Sequence, residues 1–219
     1  MVFTSAASNL VAGQSDANND SDVFLLQRAT GAVTLVSHTP ASSTTTANGY
    51  GFNPSISADG AFVVFHSTAT NLVAGQIDAN GFEDVFLFER ATGAVTLVSH
   101  TPASATTTAN GSSFEPSISA DGAFVAFESS ASNLVAGQID ANNDTDVFLL
   151  QRATGAVTLV SHTPAGAATT ANGYSVNPSI SADGAFVAFH SVASDLVAGQ
   201  SDANNANDVF QFRRTATAA

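Results

Sequence analysis

A chain of 219 residues with 18 acidic residues against 5 basic ones, and a formal charge of −13, is a poor partner for nucleic acid, whose phosphates need clustered Lys and Arg. Disorder, the other common outcome of strong acidity, does not fit a composition that is 44% hydrophobic and includes 16 Phe. The absence of Cys removes disulfides and thiol chemistry; no apolar run approaches the roughly 18 residues of a membrane span, and the first residues, MVFTSAASNL, do not read as a signal peptide.

The stretch DANNDSDVF from Asp16 returns as DANGFEDVF from Asp78, DANNDTDVF from Asp140 and DANNANDVF from Asp202, 62 residues apart each time. One unit is therefore copied along the chain about three and a half times, which predicts a tandem array. The copies occupy 1–40 (partial), 54–100, 116–162 and 178–214 (partial). The segment MVFTSAASNLVAG aligns with VVFHSTATNLVAG from Val63, so the chain opens and closes inside a unit. Two expectations follow: ends that complement one another in an assembly, or a stretch of a longer repeat protein.

Within the second unit, PSIS (54–57) reads as a short strand A entering an ADG turn (58–60), and AFVVFHS (61–67), rich in β-branched and aromatic residues, as the return strand B. A long polar segment, TATNLVAGQIDANGFE (68–83), leads to strand C, DVFLFER (84–90). The turn ATG (91–93) gives strand D, AVTLVSH (94–100), and TPASATTTANGSSFE (101–115) reads as a connector of Thr, Ala, Ser, Asn and Gly leading to the next PSIS at Pro116. Strands B and C carry consecutive apolar residues, as expected when both faces of a sheet are covered. Four antiparallel strands per unit with two-sided burial predict an all-β fold, a β-propeller of four-stranded blades. The strands read BCD, ABCD, ABCD and ABC, 14 in all.

The motifs PSISADGAFVVF from Pro54 and PSISADGAFVAF from Pro116 and Pro178, with DVFLFERATGAVTLVS-type segments after complete copies, resemble the TolB-like, WD-related β-propeller repeats of bacterial secreted proteins. The P-x-x-S-x-D-G-x-x-hydrophobic-x-F core of those repeats is matched at Pro54, Ser57, Asp59, Gly60 and Phe65. The resemblance implies a binding or scaffolding platform and no particular reaction. Its longer acidic loop between B and C sets this chain apart from the family pattern.

In such a blade the B-to-C loops and D-to-A connectors emerge on one face, where function is expected. Eleven of the 18 acidic residues, Glu83 among them, lie in the four acidic stretches of the B-to-C loops (16–22, 78–84, 140–146 and 202–208), with no Arg or Lys inside them. The first and third copies place Asp16, Asn18, Asp20 and Asp22, and Asp140, Asn142, Asp144 and Asp146, at relative positions 1, 3, 5 and 7. This is the spacing at which a curled loop turns alternate oxygens toward one hard cation, predicting structural Ca²⁺. The second copy (Asp78, Asn80, Asp84) has Phe82 at position 5 and the fourth (Asp202, Asn204, Asp208) has Ala206, which ranks these sites lower. The match to an EF-hand is partial, since Ser21 and Gln27 stand where Gly and Glu are needed. The competing reading is Asx-turns that begin a strand, with acidity serving solubility.

Other groups read as structural. His38, His100 and His162 are expected at the end of strand D, and His66 and His190 in strand B at a position that Glu128 shares, which suggests a tolerant surface site. Arg28, Arg90, Arg152 and Arg214 close strand C and are expected to pair with a local carboxylate or carbonyl. Asp59, Asp121 and Asp183 belong to the ADG turns, and no G-x-S-x-G elbow occurs. Tyr50, Phe52, Phe114 and Tyr174 precede strand A and are expected to anchor connectors or pack blades, since a chain without Trp is a poor sugar platform.

The expected function is a non-enzymatic bacterial extracellular or cell-surface binding or adhesion scaffold with calcium-organised loops, its ligand a glycan or a protein. One alternative is an excised or engineered propeller fragment that assembles into a multi-chain ring with no activity of its own; the other is a glycan or peptide hydrolase using the propeller rim. Exposed edges on the two incomplete blades predict a head-to-tail homodimer completing a ring of about seven or eight blades.

Overall fold

The structure, a computed structural model, describes residues 1–214, which form strands joined by turns and loops. Strands β1 (Val2–Ser5), β2 (Asp22–Gln27) and β3 (Ala32–Leu35) make a three-stranded antiparallel sheet, followed by a hairpin of β4 (His38–Thr39) and β5 (Ser42–Thr46). The second sheet has four strands, β6 (Gly51–Ile56), β7 (Phe62–Ser67), β8 (Asp84–Glu89) and β9 (Ala94–Leu97), and the hairpin β10 (His100–Thr101) and β11 (Ser104–Thr108) follows. The third repeats the pattern with β12 (Ser113–Ile118), β13 (Phe124–Ser129), β14 (Asp146–Gln151) and β15 (Ala156–Leu159), then the hairpin β16 (His162–Thr163) and β17 (Gly166–Thr170). The last sheet comprises β18 (Ser175–Ile180), β19 (Phe186–Ser191) and β20 (Asp208–Arg213).

Each sheet is an antiparallel meander, and successive sheets pack face to face. Phe65 pairs with Phe86 across β7 and β8, their rings stacked 5.8 Å apart, and Phe127–Phe148 and Phe189–Phe210 repeat this at 5.8 and 5.9 Å. Val63, Phe65, Phe86 and Phe88 pack toward the first sheet, whereas Phe62, Val64, Val85 and Leu87 pack toward the third. Both faces of the middle sheets are thus core, the reason their strands lack polar alternation. The A strands of neighbouring sheets also touch one another, β12 against β6 and β18, so they form the inner end of the stack. There the ADG turns join in series, Ala58 N–H donating to Ala120 O and Ala120 N–H to Ala182 O, both 2.9 Å. This is a β-propeller arrangement, with blades of four-stranded antiparallel sheets.

Several expectations are corrected. Strand A begins at Gly51, Ser113 and Ser175, ahead of the PSIS motif, and carries a bulge, with Asn53, Glu115 and Asn177 at positive φ of 46°, 49° and 54°. The connectors are structured, each holding a hairpin, so six short strands lie outside the sheets and the 20 strands exceed the 14 expected. His38, His100 and His162 belong to these hairpins and not to strand D; each Nδ1 bonds the carbonyl of the following Thr. Two of the four third-strand arginines find a carbonyl: Arg152 and Arg214 donate from Nε to Gly122 O and Gly184 O, with each guanidinium 4.1 Å above the ring of Phe62 or Phe124.

Candidate functional site

The B-to-C loops and the connector hairpins lie together on one face. In the second unit Ile77 forms a parallel bridge with Thr107 of the hairpin, and Asn80 Nδ2 donates to Ala109 O at 2.6 Å. Gln76 braces the loop from within, its Nε2 donating to Ala69 O while its Oε1 accepts Leu72 N–H and Val73 N–H. The preceding connector closes on the same loop through Asn48 and Thr70, and a Cβ on Gly49 would meet Ala69 N at 2.6 Å, so only glycine allows this approach. Ser113 N–H of the next sheet then takes Glu83 O at 2.7 Å. The loops are therefore ordered by protein hydrogen bonds, and an ion would add to that order without creating it.

Each acidic loop is an Asx-turn. Asp16 Oδ1 accepts from Asn18 N–H and Asn19 N–H, Asp78 Oδ1 from Asn80 and Gly81, Asp140 Oδ1 from Asn143, and Asp202 Oδ1 from Asn204 and Asn205. Asn18 and Asn142 Oδ1 accept Asp20 N–H and Asp144 N–H, and each of those Asp side chains caps the next N–H. Asn19, Gly81, Asn143 and Asn205 supply the positive φ at position 4. The position-7 carboxylates Asp22, Asp84 and Asp146 are buried at the start of strand C. Each accepts the O–H of a serine on the neighbouring segment, Ser37, Ser99 and Ser161, at 2.8–2.9 Å. Asp208 is exposed, because the last described sheet has no fourth strand to bring such a serine.

Burial dominates the titration of these groups. Desolvation raises the Asp22 carboxyl to about 6, Asp146 to about 7 and Asp84 to about 8; the serine hydroxyls lower them, and neighbouring carboxylates of the same loop raise them again. Asp84 is 1% exposed, and its Oδ2 and the Oδ2 of Asp78 are both buried without a hydrogen-bond partner. The unsatisfied oxygens thus lie in the loop of Asp78. Among the described residues, no three His, Asp or Glu side chains converge as a metal centre.

A second feature lies at the inner rim of the same face, between the second and third sheets. Phe52, Asn53, His66, Glu83, Phe114 and Glu115 line a cleft of about 390 Å³. Tyr50 O–H donates to Glu83 Oε1 at 2.7 Å, the main reason the Glu83 carboxyl is held below its usual range, and Asn53 Nδ2 donates to Glu115 Oε1. His66, 9% exposed, stacks on Phe52 with its Nδ1 unpartnered, and burial lowers its pKa. At the matching junction of the third and fourth sheets, buried Glu128 takes the place of His66 and accepts Asn177 N–H at 2.6 Å. At His66 and Glu128 the shared position is therefore a buried junction residue, not a tolerant surface site, whereas His190, on the last described sheet, is exposed. Burial raises the Glu128 carboxyl to about 7. Sequence reasoning passed over Glu115 and set Glu128 aside; the signal that marks them is departure from the repeat, Glu115 against Asn53 and Asn177 and Glu128 against His66 and His190, as Glu83 departs from Ser21, Thr145 and Asn207.

Tyr50 and Tyr174 are connector anchors, bonding Glu83 and Asn207 of their own units. No helix among the described residues is long and apolar enough to cross a membrane.

No protein-family model and no curated protein matches the chain. Among solved structures it is similar to TolB from Acinetobacter baumannii, at 14% identity and a TM-score of 0.47, covering 88% of this chain and 35% of that one. A putative TolB from Agrobacterium tumefaciens matches at 18% identity and 0.44, covering 79% and 46%, and Porphyromonas gingivalis dipeptidyl peptidase 4 at 16% and 0.48, covering 80% and 25%. The chain spans less than half the length of each of these structures. At this level the likeness is similarity and nothing more; it is the stacked four-stranded antiparallel sheets themselves that make the chain a β-propeller array.

Proposed function

We propose that the chain is a non-catalytic, extracellular bacterial binding scaffold whose incomplete end sheets join head to tail with those of a second copy. The observation that carries this reading is the outer face of the last sheet. Val209 is 72% exposed, whereas Val85 and Val147 at the same repeat position are 0% exposed beneath the next sheet. Ala182 N–H, on the inner rim, likewise donates to no described residue, although Ala58 and Ala120 each donate to the next turn. The surface that fits this face is the one the array itself uses, here the partly exposed Phe3 and Leu26 on the outer side of the first sheet, over the buried Phe24. Gln211, where other units have Leu25, Leu87 and Leu149, makes the face less apolar than the internal junctions, in keeping with an interface that also separates. Light scattering over a micromolar range tests it: mass rising with concentration to twice the chain, and abolished by Val209→Lys, is expected. A strictly monomeric mass overturns it.

The reading of the acidic loops as Ca²⁺ sites is favoured by one observation, the two buried, unpartnered carboxylate oxygens of Asp78 and Asp84. Calcium at a hundredfold excess over its dissociation constant is expected to stabilise the fold by about 2.7 kcal/mol. Superimposable thermal scans in EGTA and in millimolar Ca²⁺ would sink this reading and leave the Asx-turn account standing.

A further inference from the structure

We propose that the cleft between the second and third sheets is a binding site for a guanidinium-bearing ligand. Its polar lining is rich in acceptors: the Glu83 and Glu115 carboxylates and the amide oxygen of Asn53. His66 Nδ1 is buried, unpartnered, and stands in the wall of this cleft. The equivalent group across the next junction, Glu128, is satisfied by Asn177 N–H, so of two like junctions one is closed from within and the other is left for a ligand. Two Phe rings, Phe52 and Phe114, complete the lining.

A planar cation with several N–H donors answers this lining better than a compact ammonium. A guanidinium presents five donors in one plane, donates side-on to a carboxylate and rests its face on an aromatic ring. The chain already uses that pairing internally, where Arg152 and Arg214 lie 4.1 Å over Phe62 and Phe124 while donating to a carbonyl. No Arg or Lys of this chain lines the cleft, and the formal charge of −13 favours approach of a cation. Two residues that depart from their repeat partners, Glu83 (Ser21, Thr145 and Asn207 elsewhere) and Glu115 (Asn53 and Asn177 elsewhere), both belong to it. The inference does not depend on assembly or on calcium.

Titration calorimetry with L-argininamide and with an N-acetylated, C-amidated Gly-Arg-Gly peptide, each against its lysine counterpart, tests the site. One saturable event per chain is expected, about tenfold weaker for the lysine compounds and weakened by salt. Binding by argininamide alone identifies a small guanidine, and binding by both identifies an arginine side chain. The variant Glu115→Asn installs the residue that the fold accepts at 53 and 177, and Glu83→Thr the one it accepts at 145, so both keep the fold, as unchanged melting checks. Each is expected to lower affinity by about tenfold or more. Absence of a saturable signal up to about 10 mM, equal binding of arginine and lysine compounds, or binding indifferent to Glu115→Asn overturns the inference.

Discussion

Asp84 shows how one residue serves fold and chemistry in conflicting ways. Its Oδ1 is held by Ser99 and its Oδ2 by nothing, and burial raises its carboxyl to about 8 from a free value of 3.8. The native state therefore holds a proton on Asp84 that the unfolded chain has released, and the same applies to Asp22, Asp146 and Glu128 over narrower windows. With more protons bound in the native state, stability falls as pH rises from about 4 toward about 8. Melting near pH 5 is thus expected to exceed melting near pH 8, and Asp84→Asn should flatten the slope and raise the alkaline melting temperature by about 2–4 °C. A slope unchanged by this variant would show that the proton resides elsewhere. Addition of Ca²⁺ acts on the same charge, since an ion at Asp78 and Asp84 favours the ionised carboxyl and should flatten the slope from the alkaline side. What sequence conveyed at this scale was the concentration of carboxylates. It did not convey that position 7 is buried behind a serine 15 residues away, because that separation depends on the C-to-D hairpin register.

The element least legible in sequence is the satellite hairpin. SSTTT and SATTT are polar, short and without alternation, so nothing separates them from loop until the acidic loop supplies a partner through Ser15–Thr45 and Ile77–Thr107. The central strands were legible for the opposite reason, since consecutive Val, Phe and Leu between turn residues leave little choice. The repeated Gln of the LVAGQ segment is the internal brace of the long loop. Gln138→Ala removes a donor to Ala131 O and an acceptor for Leu134 and Val135 N–H, over a fully buried Leu134, and is expected to cost about 1–3 kcal/mol. Hydrogen exchange should then accelerate at the Leu134 and Val135 amides while the amides of β13 and β14 keep their protection. Uniform acceleration across the sheet would mean that loop and sheet open as one unit.

At the scale of the molecule, an array in which each sheet touches only its neighbours should give one substitution different costs at different positions. Val85, Val147 and Val209 occupy the same place in successive C strands, the first two covered by the next sheet and the third on an open face. The 62-residue period made this equivalence visible in sequence, but the open face became visible only in the packing, since a repeated motif reads alike whether or not a neighbour covers it. Val147→Ala is expected to destabilise by about 2 kcal/mol, transfer and cavity combined. Val209→Ala at high dilution should stay within about 0.5 kcal/mol, as at any exposed position. If second copies cover the last sheet, the cost of Val209→Ala must grow with protein concentration while that of Val147→Ala stays constant, because only the first is linked to association. Denaturant titrations of both variants at two protein concentrations separate these cases. A Val209→Ala cost that is large and independent of concentration would show that residues of the same chain already cover the face.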